Sequence, residues 1–217
     1  MTPKTTERRL IDGPAGAIEI ALNTPPAPLR GIALVAHPHP LQGGTLDNKV
    51  AQTLAKTFFA MGYAAIRFNF RGAGQTEGDF DEGKGETDDA LAVLAWAKAR
   101  VEEQSADPPH PLPVALAGFS FGAFVQTRVA KAIDYERLVL IGPAVNRIAG
   151  DHVRADTIVI HGEEDDVVAL ADVFAWARPQ ALPIVVFPGC GHFFHGRLPQ
   201  LQQVITGMWH PQQTAVR

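Results

Sequence analysis

The sequence predicts an α/β fold: a mostly parallel central sheet of about eight strands with helices on both faces, forming a single domain over residues 1–217. Three observations predict it. Short apolar runs alternate along the chain with segments whose apolar residues recur at helical spacing. Most of those runs, GIALVAH and VALAGF among them, are apolar throughout, as strands buried on both faces must be. The 217 residues, 46% hydrophobic and 19% charged, are enough for one substantial core.

RRLIDGPAGAIEIALN reads as two strands around a DGPAG turn, with Ile18, Ile20 and Leu22 alternating in the second. No helix separates these strands, so residues 1–30 are expected to form an edge hairpin followed by the Pro-rich connector NTPPAPLR. GIALVAH is the first buried strand. Val50, Leu54, Phe58 and Met61 then recur at helical spacing, and Gly62 stands where a helix C-terminus favours glycine. YAAIRFNF is the next strand, and RGAGQTEGDFDEGKGE a glycine-rich loop. ETDDALAVLAWAKARV forms a helix with acidic residues in its first turn, where they suit the dipole. SADPPHPLP connects it to the strand VALAGF, and FGAFVQTRVAKAI is the following helix. RLVLIGP, TIVIHG and PIVVFPG are three further strands; VVALADVFAWA and RLPQLQQVITGMW are the last two helices.

Composition excludes several classes of function. The net charge is −4 and no run of Lys or Arg exists, which argues against a nucleic-acid partner. MTPKTTERRL is not followed by the apolar core of a signal peptide, and no apolar stretch approaches the ~20 residues of a membrane helix. Cys190 stands alone, so no disulfide can form within the chain, and the cytoplasm is the expected compartment.

Ligands of such sheets bind beyond the carboxyl ends of the strands. Four loops there carry chemistry. In Gly118-Phe119-Ser120-Phe121-Gly122, between a strand and a helix, the flanking glycines suit the tight turn that lifts a nucleophilic serine above the sheet. A serine needs a base, and a histidine base needs a carboxylate to hold its tautomer. GEEDDVVAL, after TIVIHG, offers Glu163, Glu164, Asp165 and Asp166; Asp166 directly precedes the helical run and suits its N-cap, leaving Asp165 as the better acid. PGCGHFFHG, after the last strand, places His192 beyond two glycines; it is the expected base, with His195 a neighbour or substrate contact. The order Ser120, Asp165, His192 matches that of hydrolases built on this sheet.

The fourth loop, AHPHPLQGGT, is the expected source of one of two backbone N–H donors for a tetrahedral oxyanion. Pro38 and Pro40 have no N–H, so His39 is the natural donor and Leu41 the reserve; Phe121, following the nucleophile, supplies the other. Leu41, Phe119, Phe124, Phe193, Phe194 and His195 are candidate walls of a modest apolar acyl pocket. His37 and His161 each end an apolar strand and read as hydrogen-bonded structural residues. No histidine pair sits at i, i+4 on a helix and no cysteine cluster supports them, so neither a metal nor any other cofactor is expected.

Together AHPHPLQGGTLDNKV, RFNFRGAGQTEG, AGFSFGAF, IHGEEDDVV and PGCGHFFHG make the chain resemble the α/β-hydrolase superfamily over about Gly31 to Trp209. The likeness is to its compact, lidless members, related to dienelactone hydrolase and small carboxylesterases. The resemblance implies Ser120 as nucleophile, His192 as base, His39 and Phe121 as oxyanion donors, and Asp165 as the acid of an H-G-x-x-D pattern. The expected activity is hydrolysis of a small ester through an acyl-enzyme; the alternatives are acyl transfer or amide or thioester hydrolysis by the same triad, or a non-catalytic binding protein on a retained hydrolase fold. Between RLVLIGP and TIVIHG only AVNRIAGDHVRAD is available, too short for the cap domain that such folds often insert there. Asn69 and Arg71 of the NFRGAGQTEG loop are candidates for supporting the site.

Overall fold

The computed structural model describes residues 6–26, 28–104, 111–145 and 150–209. Eight strands form one sheet: β1 (Glu7–Gly13), β2 (Gly16–Asn23), β3 (Gly31–Ala36), β4 (Tyr63–Phe68), β5 (Val114–Phe119), β6 (Arg137–Ile141), β7 (Ile158–Gly162) and β8 (Ile184–Phe187). Their spatial order is β1-β2-β4-β3-β5-β6-β7-β8. β1 and β2 pair antiparallel at one edge, β2 runs antiparallel to β4, and every other pair is parallel. The expected edge hairpin is therefore present, closed between Gly13 and Gly16. The SADPPH stretch (105–110), the first five residues, Ala27 in the Pro-rich connector and residues 146–149 lie outside the described residues.

Among the described residues the α-helices are α1 (Lys49–Ala60), α2 (Lys84–Gln104), α3 (Phe121–Ala132), α4 (Leu170–Ala177) and α5 (Leu198–Met208). Alternating side chains of a central strand enter opposite layers of the core. Ile32 and Leu34 of β3 pack with Val93, Leu94 and Val125 of α2 and α3. Ala33 and Val35 pack with Leu54 and Phe58 of α1 and Ile205 of α5. This two-sided burial explains the unbroken apolar runs, and each fully buried Leu, Ile or Phe contributes about 1.5–3 kcal/mol. Asn48 caps α1, its Oδ1 accepting the N–H groups of Val50 and Ala51 at 2.9 and 3.3 Å.

Parallel register brings the strand ends that matter to one edge. Ala36 pairs with Gly118, Phe119 with Ile141, and Gly162 with Phe187. The loops after β3, β5, β7 and β8 thus rise from a common rim. β6 and β7 are joined by residues 142–157, and among those described no cap intervenes.

One helix start differs from expectation. The run VVALADVFAWA is helical only from Leu170, and its N-cap position is Ala169. Val167 and Val168 instead donate their N–H groups to Asp165 Oδ1 at 3.0 and 2.7 Å, folding that stretch into a side-chain-supported turn. Asp166 is exposed and caps nothing in the helix.

Candidate active site

The turn between β5 and α3 is strained at one residue. Ser120 has φ 56° and ψ −118°, a conformation that a side-chain-bearing residue rarely adopts. Its backbone is held in place: the N–H donates to the Ile141 carbonyl at 2.9 Å, and its carbonyl accepts from Ala123 and Ala144 at 3.0 and 3.2 Å. The two glycines are needed for closeness. A Cβ on Gly118 would stand 2.4 Å from the Gly122 carbonyl oxygen, and one on Gly122 would stand 2.4 Å from that of His37. The strand, the turn and the neighbouring β3 end leave no space for a side chain at either place.

His192 reaches Ser120 from the loop after β8. Its Nε2 lies 3.0 Å from Ser120 Oγ and its Nδ1 2.7 Å from Asp165 Oδ2. An ionised carboxylate only accepts, so Nδ1 carries the proton and Nε2 is left to accept from the serine hydroxyl. All three residues are buried. Phe119 lies beneath the imidazole, with ring centroids 4.8 Å apart. The acid and base loops are tied together by two bonds: Glu164 N–H donates to the Cys190 carbonyl at 3.0 Å, and Gly189 N–H to Glu163 Oε2 at 2.8 Å. Glu163 is therefore a brace between them.

Burial alone would raise the carboxyl of Asp165, but its hydrogen bonds to His192 and Val168 outweigh that and hold it below the usual value. His161, fully buried on β7, places Nε2 2.9 Å from the Val168 carbonyl and 3.4 Å from Asp165 Oδ2. Burial lowers its pKa, so it is a neutral Nε2–H donor facing two acceptors. His37 is likewise structural. Its Nδ1–H donates to the Pro38 carbonyl at 2.6 Å, Nε2 accepts from Phe70 N–H at 2.9 Å, and burial pushes its pKa down to about 4.

The AHPHPLQGGT loop turns through a short 3-10 segment, Pro40–Gln42, directly after His39. The His39 carbonyl accepts from Gln42 and Gly44 at 3.1 and 3.0 Å, and a Cβ on Gly44 would collide with the Pro38 carbonyl at 2.2 Å. The double glycine of the sequence is thus what lets this loop fold flat against itself. The His39 and Phe121 rings pack at 5.0 Å, so the loop after β3 rests against the first turn of α3. Leu41, the reserve, is not available: its N–H points to His39 Nδ1 at 3.3 Å within the turn, and 67% of the residue is exposed.

The cavity beside Ser120 is small, about 100 Å³. Ser120 and His192 line it together with Pro38, His39, Gln42, Gly43, Gly44, Asn48, Val167 and Phe193. Of the expected apolar walls only Phe193 lines it. Phe119, Phe124 and Phe194 are fully buried in the core, and Leu41 and His195 lie outside on the surface. The reason lies in side-chain direction. Phe119 points down from the strand under His192, Phe124 sits one turn into α3, and Phe194 turns inward against Phe187. His195 packs its ring on Phe193 at 5.9 Å, outside the cavity. The polar wall of Gln42 and Asn48 has no counterpart in the sequence reading; its signal was the position of both residues around the expected oxyanion loop. Asn69 and Arg71 also stand back. Asn69 accepts Leu46 N–H and donates to Glu19, while Arg71 makes a bidentate pair with Asp89 at 2.8 Å. Cys190 is buried, and burial raises its thiol pKa, which disfavours the nucleophilic thiolate.

A larger groove of about 570 Å³ lies around Lys131, Tyr135 and Arg154, at the far end of α3 from Ser120, and no serine, threonine or cysteine lines it.

Fold and site define a serine hydrolase of the α/β-hydrolase superfamily, of the kind without a lid. Residues 25–149 match the family model described as X-Pro dipeptidyl-peptidase (S15 family), and the chain belongs to that family. It is similar to an α/β serine hydrolase homologue from Coxiella burnetii, with 34% identity, a TM-score of 0.85, and coverage of 97% of this chain and 100% of that one. It is also similar to an α/β serine hydrolase without lid from Xanthomonas campestris, with 32% identity, a TM-score of 0.84, and 96% and 95% coverage. An uncharacterised protein of Rickettsia prowazekii is 34% identical over 208 residues, 89% of this chain and 84% of that protein.

Proposed function

We propose that the protein hydrolyses small carboxylic esters through Ser120, His192 and Asp165. Ser120 Oγ attacks the ester carbonyl carbon while its proton passes to His192 Nε2, 3.0 Å away. The N–H groups of Phe121 and His39 receive the developing oxyanion. His192 then gives its proton to the departing alkoxide, leaving an acyl group on Ser120. A water attacks that acyl carbon, losing its proton to Nε2. Collapse of the second tetrahedral species releases the acid, and the proton returns to Oγ. Asp165 keeps Nδ1 protonated and stabilises the imidazolium formed in each half-reaction.

The observation that carries this reading is the continuous line Oγ, Nε2, Nδ1, Oδ2, with spacings of 3.0 and 2.7 Å, opening into the cavity. The family description suggests the rival, release of an X-Pro dipeptide. Such an enzyme must hold a free α-ammonium, and a buried ammonium needs a carboxylate partner. None of the described residues lining the cavity is Asp or Glu. A volume of about 100 Å³ also suits a short acyl group better than a dipeptide.

The test is a comparison of kcat/KM for p-nitrophenyl acetate, butyrate and octanoate with that for a Gly-Pro p-nitroanilide. The ester reading requires the two short esters to be turned over fastest. Faster cleavage of the anilide would replace it with the dipeptidase reading.

A further inference from the structure

Arginine is out of place in YAAIRF, where every other residue of β4 is apolar or Tyr63 and all are buried. Arg67 is 6% exposed, and a guanidinium keeps its charge under any ordinary condition. A buried charge of this kind is normally compensated by close, bidentate pairing. Here the compensation is incomplete. One nitrogen donates to the Leu46 carbonyl at 2.6 Å and stands 3.4 Å from Asp47 Oδ1. Asp47 is half exposed and is shared with Arg8, whose guanidinium contacts the same oxygen. Arg67 Nε is buried with no hydrogen-bond partner among the described residues. Burial pulls the pKa of the group down, with Arg8 adding to that effect.

Arg67 forms part of the wall of a cavity of about 190 Å³ between α1 and the β2 edge. Lys56 stands at its exposed side, Gln52, Asn23 and Thr6 add polar groups, Asn23 donating to Thr6 Oγ1 at 2.9 Å, and Ala55 and Phe59 make it partly apolar. No lining residue is acidic. Two cations around a small, half-apolar space with no acidic lining fit one chemical class. We infer that this cavity binds a small organic acid, its carboxylate held between Arg67 and Lys56 and its short apolar body against Ala55 and Phe59. The site is separate from the catalytic cavity but close to it in the fold. Gln52 lies one helical turn below Asn48, which lines the catalytic cavity, and donates to the Asp47 carbonyl at 2.9 Å.

Isothermal titration of the whole chain with butyrate, 1-butanol and inorganic phosphate tests the inference. Butyrate should bind, and butanol, which has the body without the charge, should not. Because butyrate is also a product of ester hydrolysis, the variants decide the location. Lys56→Glu, an exposed substitution, should weaken butyrate by about tenfold or more, and Lys56→Arg should keep most of the affinity. No binding of butyrate, or binding unchanged in Lys56→Glu, overturns the site. Phosphate binding as tightly as butyrate overturns the organic-acid assignment. None of these outcomes depends on whether the ester reading of Ser120 holds.

Discussion

Gly142 lies against the face of His192: a Cβ placed on it would come within 3.3 Å of the imidazole Cε1 and Nδ1. The backbone there has φ 49°, which favours glycine, and a side chain would also press on the imidazole. Gly142→Ala should shift the ring slightly and lower kcat by up to about tenfold, since catalytic geometry is sensitive to sub-ångström misplacement. Its stability cost should stay near 1–2 kcal/mol. Steady-state kinetics beside urea denaturation separates the two; unchanged kcat would show that His192 does not depend on this contact.

Asp165 and Asp166 are neighbours with different surroundings. Asp165→Asn removes the acceptor that fixes the His192 tautomer and should lower kcat by about 10⁴. Asp166→Asn, at an exposed position, should leave both rate and stability within about 0.5 kcal/mol of the wild type. Equal losses in the two variants would contradict the assignment.

Phe193 and Phe124 should divide function from packing. Phe193→Ala, at a rim position 45% exposed, should raise KM for short esters with little change in melting temperature. Phe124→Ala should cost about 3–5 kcal/mol of stability and leave KM of the folded enzyme unchanged. Thermal denaturation and Michaelis kinetics on both variants check the pair.

His37 makes stability depend on pH. Its folded pKa of about 4 lies below its ordinary value of 6.5, so the unfolded chain binds the proton more tightly. The stabilisation is therefore complete above about pH 6.5 and is lost as pH falls through about 4, to a total of roughly 3 kcal/mol. His37→Asn, which cannot titrate, should flatten this part of the profile when urea unfolding is compared at pH 7 and pH 5. Equal losses in variant and wild type would remove His37 as the cause.

Much of this was legible in the sequence, because periodicity and spacing report on backbone. The unbroken strands, the edge hairpin and the strand-turn-helix around Ser120 follow from residues that can occupy only those environments. Of the two grounds for Asp165, the H-G-x-x-D pattern and the helix cap assigned to Asp166, the structure removes the second. The sequence suggested that Asp166 was spent on a helix cap, whereas Asp165 itself holds the turn with Oδ1 and meets His192 with Oδ2. One carboxylate can do both, and sequence logic treated the roles as exclusive. The pocket was the least legible part. Phe193 and Phe194 are adjacent in the chain, yet Phe194, at φ 52°, turns into the core while Phe193 faces out. Which of two neighbouring loop residues points inward depends on dihedral angles that no hydrophobic pattern encodes.

The most direct measurement of the central claim is covalent labelling of the native protein with a fluorophosphonate, mapped by mass spectrometry. One equivalent should attach to the peptide carrying Ser120, and labelling should slow by at least about a thousandfold in His192→Ala. Folded protein that takes up no label, or takes it up on a different serine, would contradict a nucleophile at Ser120.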